Sequence, residues 1–415
     1  MSKQSFFWGA STAAHQVEGG NYNQWTRWEL GAAASQAKTA KKRLGWLPNY
    51  LDIADQVSDP NNYVSGSGVD HYNLYKKDFD ILQSLGLNAF RFTIEWSRLE
   101  PEEGKWNAAE FAHYKDYIAE LKSRGIEPFL NIWHWTVPTW FADKGGFAKR
   151  ENLRYFEEFV RKISEELLAG IKYVITLNEP NVYIGFGYIT GEWPPEEKNK
   201  LKGTWAYYNL AVAHRRAYKI LKRAKPSIKI GVAQQLANIE PLRPGNILDE
   251  IQVKLMRYFW NWWWLNRIKD YQDFIGFNYY FTDYYKGFKR QNPKKPVNDL
   301  GWYMNPAGIL PLMQKIAYHY PGKPIIITEN GLADANDSQR QWWIEETMTA
   351  IDTAKSQNIP VIGYLHWSLL DNFEWAYGWW PKFGLVEVDR DDNMKRKIRP
   401  SALWWARQIA KHIEK

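Results

Sequence analysis

Two short strings, T-L-N-E-P at residues 176–180 and I-T-E-N-G at residues 327–331, decide the fold of this chain. Each string ends an apolar, β-branched run that has the length and composition of a buried strand. Each also places a glutamate, Glu179 or Glu329, where the strand ends. In a parallel α/β barrel the carboxyl ends of all strands surround a single mouth. The strings therefore predict two carboxylates that face one pocket, although they are far apart in the sequence.

The rest of the chain favours a parallel barrel, because apolar strand-like runs alternate with amphipathic helical patterns. Glycines follow the expected helix ends, as at Gly86 and Gly125. A chain of 415 residues has the length of one barrel with insertions. We therefore predict a single (β/α)8 TIM barrel, one domain over residues 1–415. The eight predicted strands are 7–10, 89–94, 128–132, 173–176, 228–232, 274–277, 325–328 and 361–364.

The composition of the chain indicates a globular protein and excludes several kinds of site. Hydrophobic residues make up 45% of the chain and charged residues 24%, which is typical of a globular protein. The absence of cysteine excludes disulfides, thiolate metal sites and thiol nucleophiles. No stretch approaches the roughly 18 apolar residues of a membrane span, and the first apolar run is too short for a secretory leader. We expect a soluble, cytoplasmic protein with no membrane partner.

The formal charge of +8 raises the possibility of a nucleic-acid partner. The basic residues fall in small groups, such as residues 41–43, 222–223 and 395–397, and acidic residues interleave with them along the predicted helices. This pattern is typical of a solvated surface rather than a basic stripe. We therefore expect no nucleic-acid partner.

Three irregular segments are expected to rim the mouth of the barrel, because each follows the carboxyl end of a predicted strand. They cover residues 31–68, 185–203 and 281–303. The chain also carries 24 tryptophans. Indole rings stack on the apolar faces of sugars, so this number favours a carbohydrate site, although most tryptophans must serve packing.

Two carboxylates in one pocket are what cleavage of a glycosidic bond requires: one donates a proton while the other supports or attacks the developing oxocarbenium centre. A third carboxylate, Glu374, follows the last strand, where either sugar hydroxyls or a structural ion pair would satisfy it. The histidines show no H-E-x-x-H spacing, and no glycine-rich phosphate loop follows a strand. We therefore expect no metal and no cofactor.

Taken together, the motifs resemble those of the retaining β-glycosidases of glycoside hydrolase family 1, over nearly the whole chain. The resemblance implies that Glu179 is the acid/base and Glu329 the nucleophile, with Arg91 and Tyr280 supporting the nucleophile. It also implies that the substrate is a small β-glycoside or oligosaccharide. The matching stretches are residues 6–20, 88–98, 176–180, 278–280, 325–333, 367–375 and 383–385.

The same resemblance implies a set of sugar-binding residues. Asn178 would hold the 2-hydroxyl, and Glu374 the 4- and 6-hydroxyls. Trp367 would form a stacking floor. The remaining contacts would come from Gln16, His134, Trp135, Asn278, Tyr280, Trp375 and Phe383.

The presence of Glu374 indicates an unphosphorylated sugar, because a carboxylate there would repel a 6-phosphate. The implied activity is hydrolysis of terminal β-glucosides, and of galactosides or fucosides. A transglycosylase and a non-catalytic carbohydrate-binding barrel remain alternatives. Three departures from the family pattern lie towards the leaving-group side: Thr136, Lys382 and the aromatic run at residues 260–264.

Overall fold

The computed structural model describes residues 6–413 and contains a closed barrel of eight parallel strands, as predicted. Each strand pairs with its neighbours in the chain, and β1 closes the barrel against β8. All eight strands lie within a few residues of the predicted positions. They are β1 (Phe7–Ser11), β2 (Ala89–Thr93), β3 (Glu127–Trp133), β4 (Tyr173–Asn178), β5 (Lys229–Gln235), β6 (Ile275–Tyr279), β7 (Ile325–Asn330) and β8 (Val361–Trp367).

Helices surround the barrel on its outer face, and shorter helical turns connect to them. The longer helices are Gln24–Leu44, Tyr50–Ser58, His71–Ser84, Ala108–Ser123, Leu153–Glu166, Lys200–Ala224, Ile247–Arg257, Trp263–Ile268, Ile309–His319, Arg340–Ser356 and Pro400–Ile413. Outside the barrel, Asn238–Pro241, Thr282–Lys286 and Lys289–Arg290 form a three-stranded sheet, and Val386–Asp389 pairs with Lys395–Ile398.

The interior of the barrel is closed at its amino end by packed apolar side chains. Phe129 stacks on Tyr173 with ring centroids 4.6 Å apart, and the edge of Phe7 meets Phe129 at 5.2 Å. Ile326 and Leu365 belong to the same buried cluster. Because this plug fills the lower half of the barrel, polar side chains can face a cavity only at the carboxyl end.

Two register shifts turn side chains of β4 and β7 into that cavity. In β7, Ile326 points into the barrel, so strict alternation would turn Glu329, three residues later, towards the outer helices. The pairing of β7 with β6 shifts between Ile327 and Glu329. The pairing of β4 with β5 shifts in the same way before Asn178. Such irregularities re-aim the residues that follow them, and here both point inward.

The segment 31–68, predicted to be irregular, is mostly helical, and that prediction was wrong. Helix Gln24–Leu44 runs into it and Tyr50–Ser58 follows. The alanines of this segment are strong helix formers, and Ala33, Ala37 and Ala40 pack inward at helical spacing. The prediction gave too much weight to the polar residues between them.

The other two predicted loops contain short regular elements of their own. A π-helical turn covers Gly185–Thr190, and the strand Thr282–Lys286 pairs with Lys289–Arg290 in a hairpin. Both segments leave the carboxyl ends of barrel strands, as expected.

None of the helices within residues 6–413 is long and apolar enough to cross a membrane. Residues 1–5, on which the expectation of no secretory leader partly rests, lie outside the described residues. The cytoplasmic location stays a prediction.

Candidate active site

A cavity of about 1130 Å³ opens at the carboxyl end of the barrel. It contains both glutamates of the two deciding strings, which are almost completely buried. Gln16, Arg91, Asn178 and Asn278 lie directly behind its wall and bond to residues that border it. The predicted site residues that border it are His134, Trp135, Glu179, Tyr280, Glu329, Trp367, Glu374, Trp375 and Phe383.

Glu329 is held by two donors, one to each carboxylate oxygen. The guanidinium of Arg91, which is fully buried on β2, donates through Nη1 to Oε1. The hydroxyl of Tyr280 donates to Oε2 over 2.7 Å. Burial and the neighbouring carboxylates raise the pKa of Tyr280 well above its usual range, so this hydroxyl keeps its proton. The arrangement stabilises a negative charge on Glu329 and fixes its orientation.

Glu179 lies in a different environment, although it shares the cavity with Glu329. Its Oε1 accepts a hydrogen bond from Asn278 Nδ2 over 2.8 Å. Burial and the charge of Glu329 raise the pKa of Glu179 well above its usual range, although Asn278 and Arg91 oppose the shift. The protonated form of Glu179 is therefore favoured, beside a carboxylate that ion-pairs with arginine.

Asn178 connects the charged groups to the histidine of the cavity wall. Its Oδ1 accepts from Arg91 Nη2 over 2.6 Å and from Asn278 Nδ2 over 3.2 Å. Its Nδ2 donates to His134 Nε2 over 2.9 Å. Burial and the charge of Arg91 lower the pKa of His134 well below its usual range, so the ring is neutral and carries its proton on Nδ1. That Nδ1 is buried and has no partner in the described structure.

Glu374 borders the same cavity and lies next to the amide of Gln16. Its Oε2 accepts from Asn372 Nδ2 over 2.9 Å and from Gln16 Nε2 over 3.3 Å. Burial is the main cause that raises the pKa of Glu374 to about 8, and the charge of Glu329 adds to it. The Oε1 of Gln16 is buried without a partner. Unsatisfied buried groups are uncommon in native proteins, so this wall is suited to a polar ligand.

Tryptophan rings form one wall of the cavity. Trp135 packs against both Trp193 and Trp375, with ring centroids 4.8 Å from each, and these two rings are 6.2 Å apart. The indole Nε1 of Trp135 donates to the carbonyl of Asn178 over 3.1 Å. This bond joins the apolar wall to the polar network.

The residues that support this wall were not predicted from the sequence. His15 stacks on Trp375 at 5.6 Å, and its Nε2 lies 2.6 Å from an oxygen of buried Glu29. His15 lies within the matching stretch at residues 6–20, whereas no feature of the sequence indicates Glu29. Trp193 was detectable, because it lies in a segment that was expected to rim the mouth.

The three departures from the family pattern make different contacts in the structure. In the aromatic run, Trp260 borders the cavity and donates to Gln235, whereas Trp262 and Trp264 are buried in packing. Thr136 donates to the buried Glu95 over 2.9 Å. Lys382 contributes its carbonyl oxygen to a buried arginine rather than a side-chain contact.

Comparison with known proteins identifies the family of the chain. The model of Glycosyl hydrolase family 1 matches residues 2–269 and 264–414. Beta-glucosidase A of Thermotoga maritima is 30% identical and covers 98% of this chain and 97% of its own.

Solved structures also resemble this chain over nearly its whole length. The beta-glycosidase from Pyrococcus horikoshii superposes with a TM-score of 0.84 at 32% identity, over 98% of this chain and 94% of its own. A family 1 beta-glucosidase from Thermotoga maritima, in complex with isofagomine lactam, gives 0.84 at 28% identity over 98% of both chains. The chain therefore belongs to glycosyl hydrolase family 1 and is an enzyme of the β-glycosidase type.

Proposed function

We propose that the protein is a retaining β-glycosidase that removes terminal β-D-glucosyl residues, and also galactosyl or fucosyl residues, by double displacement. One observation carries the proposal: Glu179 and Glu329 share a cavity but have opposite environments. Two carboxyl groups whose environments separate their protonation states are suited to acid and nucleophile roles. Relatives named beta-glucosidases support a glucoside as substrate.

In the first step, protonated Glu179 donates to the glycosidic oxygen while Glu329 attacks the anomeric carbon. The glycosidic bond breaks, the aglycone leaves with the proton, and an ester forms between Glu329 and the sugar. Arg91 and Tyr280 hold the attacking carboxylate in a single orientation. Such positioning lowers the barrier because little reorganisation is left for the transition state.

Formation of the ester changes the electrostatic environment of Glu179 before the second step. The charge of Glu329 is one of the causes that raise the pKa of Glu179. The ester is neutral, so that cause disappears, whereas Asn278 and Arg91 continue to favour the ionised form. Glu179 can then act as base on a water molecule, which attacks the anomeric carbon and releases Glu329. Retention by this route requires carboxyl groups roughly 5–5.5 Å apart.

The sugar would be bound by the groups that the protein itself leaves unsatisfied. His134 Nδ1 can donate to a hydroxyl, and Gln16 Oε1 can accept from one. Trp367 borders the cavity and offers an indole face for stacking. Asn178, whose amide bonds to Arg91, Asn278 and His134 behind the wall, would contact the 2-hydroxyl.

A transglycosylase on the same site is the second candidate function. The outer cavity is lined by aromatic side chains, including Trp193, Trp260 and Trp302, which could hold an acceptor sugar against the ester. A purely carbohydrate-binding barrel is less well supported, because such a role does not require two glutamates with opposite environments.

The proposed function predicts the substrates and the stereochemistry. We expect turnover of p-nitrophenyl β-glucoside, with slower turnover of the galactoside or fucoside, and no turnover of the 6-phospho-glucoside. Proton NMR of the first product should show the β-anomer before mutarotation. Appearance of the α-anomer first would rule out retention. Accumulation of longer oligosaccharides at high substrate would favour transglycosylation.

Replacement of the proposed acid should affect substrates according to their leaving groups. For Glu179→Gln we expect kcat/KM on cellobiose to fall by about 10³-fold, because the leaving sugar needs a proton. With 2,4-dinitrophenyl β-glucoside the loss should be small, since that leaving group departs as an anion. Glu345→Gln, on an exposed helix face, is the matched control and should resemble the unmodified enzyme. Equal losses on both substrates would contradict the acid role of Glu179.

Removal of the proposed nucleophile should be reversible by a small anion. Glu329→Ala should reduce turnover of 2,4-dinitrophenyl β-glucoside by at least about 10³-fold, because no ester can form. Added azide should occupy the vacated space, restore turnover and yield the α-glycosyl azide. Rescue that yields only the β-azide would assign the nucleophile elsewhere.

The raised pKa of Glu374 predicts a proton-linked contact with the sugar. In the free enzyme we expect its carboxyl to titrate near pH 8 in ¹³C NMR of glutamate-labelled protein, with the signal lost in Glu374→Gln. Glucose hydroxyls that donate to the carboxylate would favour the ionised form, so glucose should lower this pKa. Affinity for glucose should therefore rise with pH up to about 8. No effect of glucose on the titration would contradict this contact.

A further inference from the structure

The excursion that follows β5 exposes an unusual number of large apolar side chains. We define the rim surface as residues 242–259 and 284–296. Eighteen large hydrophobic side chains of the described chain are more than a third exposed, and eight of them lie in the rim surface. They are Leu242, Ile247, Leu248, Ile251, Leu255, Tyr258, Phe259 and Phe288.

Four of these residues form a continuous strip. Ile247, Ile251, Leu255 and Phe259 recur every four residues along helix Ile247–Arg257 and the turn that follows it, so they lie on one face. The opposite face packs on the protein through buried Val253. At its end the strip reaches the cavity, because Phe259 is 58% exposed and also lines the cavity. The apolar surface is therefore continuous with the mouth of the site.

The charge of the chain is concentrated on the same surface. The rim surface contains eight lysines and arginines but only two acidic residues, a formal charge of 8 − 2 = +6. Two of its arginines pair with acidic residues just outside these ranges, Arg257 with Glu240 at 2.6 Å and Arg290 with Asp283 at 3.8 Å, which leaves 6 − 2 = +4. One of the acidic residues, Asp249, is neutralised by Arg243 at 2.8 Å. Five lysines of the surface form no ion pair within residues 6–413: Lys254, Lys286, Lys289, Lys294 and Lys295. The sequence indicated dispersed basic residues, because the two segments are separate in the chain. The fold brings them together on one surface.

The hairpin attaches the second segment directly to the helix. The backbone N–H of Gly287 donates to Asp249 Oδ1 over 3.0 Å, so the turn that carries Phe288 lies beside the first turns of helix Ile247–Arg257. Phe288 is 72% exposed, and Lys286 and Lys289 flank it. An exposed phenylalanine and two lysines therefore lie beside the helix that carries the apolar strip.

We propose that the rim surface docks on an anionic lipid bilayer. Burial of isoleucine, leucine and phenylalanine side chains among the acyl chains supplies apolar free energy, and lysines beside them attract acidic headgroups. Docked in this way, the mouth of the cavity faces the bilayer. The proposal does not depend on the reaction proposed above.

Other occupants fit this surface less well. A second copy of the chain would bring two positively charged surfaces together, which their mutual repulsion opposes. A nucleic acid would match the charge but would leave isoleucine and leucine against water. The sequence led us to expect no membrane partner because no segment could span a bilayer, and docking on its surface requires no span.

Vesicle flotation tests the proposal directly. We expect the full chain to float with vesicles of phosphatidylcholine and phosphatidylglycerol in equal parts, and far less with phosphatidylcholine alone. High salt should weaken binding, because exposed charges are screened. Leu255→Glu should reduce binding about tenfold or more by removing an apolar contact and adding a negative charge. The double variant Lys286→Glu/Lys289→Glu should reduce it as well.

Leu403→Glu is the matched control for the apolar contact. It makes the same chemical change at a residue that is 46% exposed, against 48% for Leu255, but on the terminal helix Pro400–Ile413. It should float like the unmodified protein, and melting temperatures should show that all variants are folded. Absence of flotation, or equal loss in both leucine variants, would overturn the proposal. So would an oligomer that Leu255→Glu dissociates, or retention on RNA, if either occurs without vesicle binding.

Discussion

The candidate active site is organised around the buried guanidinium of Arg91. It projects from β2, is fully buried, and donates to Glu329 on β7 and to Asn178 on β4. A buried cation without a partner is very costly, and removal of one partner of such a pair typically destabilises a protein by about 3–5 kcal/mol. Glu329 is therefore a reacting group in our proposal. Its negative charge also offsets the free-energy cost of burying the Arg91 guanidinium in the core. Structure and function constrain the same two residues.

Side-chain amides connect Arg91 to the rest of the site through hydrogen bonds. Asn178 accepts hydrogen bonds from Arg91 and Asn278 and donates one to His134. Asn278 also donates to Glu179. Each amide has a defined orientation because its oxygen faces donors and its nitrogen faces acceptors. A single cation thus sets the tautomer of a histidine and the direction of the second carboxyl group. This explains why a site drawn from many strands can act as one unit.

Much of this could be predicted from the sequence, and the limits have a physical cause. Apolar runs locate strands, and the end of a parallel strand locates the mouth, so Glu179 and Glu329 were found directly. Alternation alone would have turned Glu329 outward, and only the register shift in β7 corrects it. Register depends on pairing with neighbours that are distant in sequence. For the same reason the partnership of His15 with Glu29, and the joining of two segments in the rim surface, were not visible.

Backbone strain at the strand ends shows how firmly the barrel holds the site. Trp135, Glu179 and Trp375 have φ values of 73°, 42° and 50°, in the left-handed region that side chains other than glycine rarely adopt. Each such residue costs about 1–2 kcal/mol. At Gly331 a Cβ atom would lie 1.8 Å from the carbonyl oxygen of Trp367, so only glycine permits that approach. Strain of this kind persists only where the surrounding packing fixes the backbone, and here the aromatic wall and the buried ion pair do so. The barrel thus presents two carboxyl groups and their indole wall in positions that an isolated chain would not adopt.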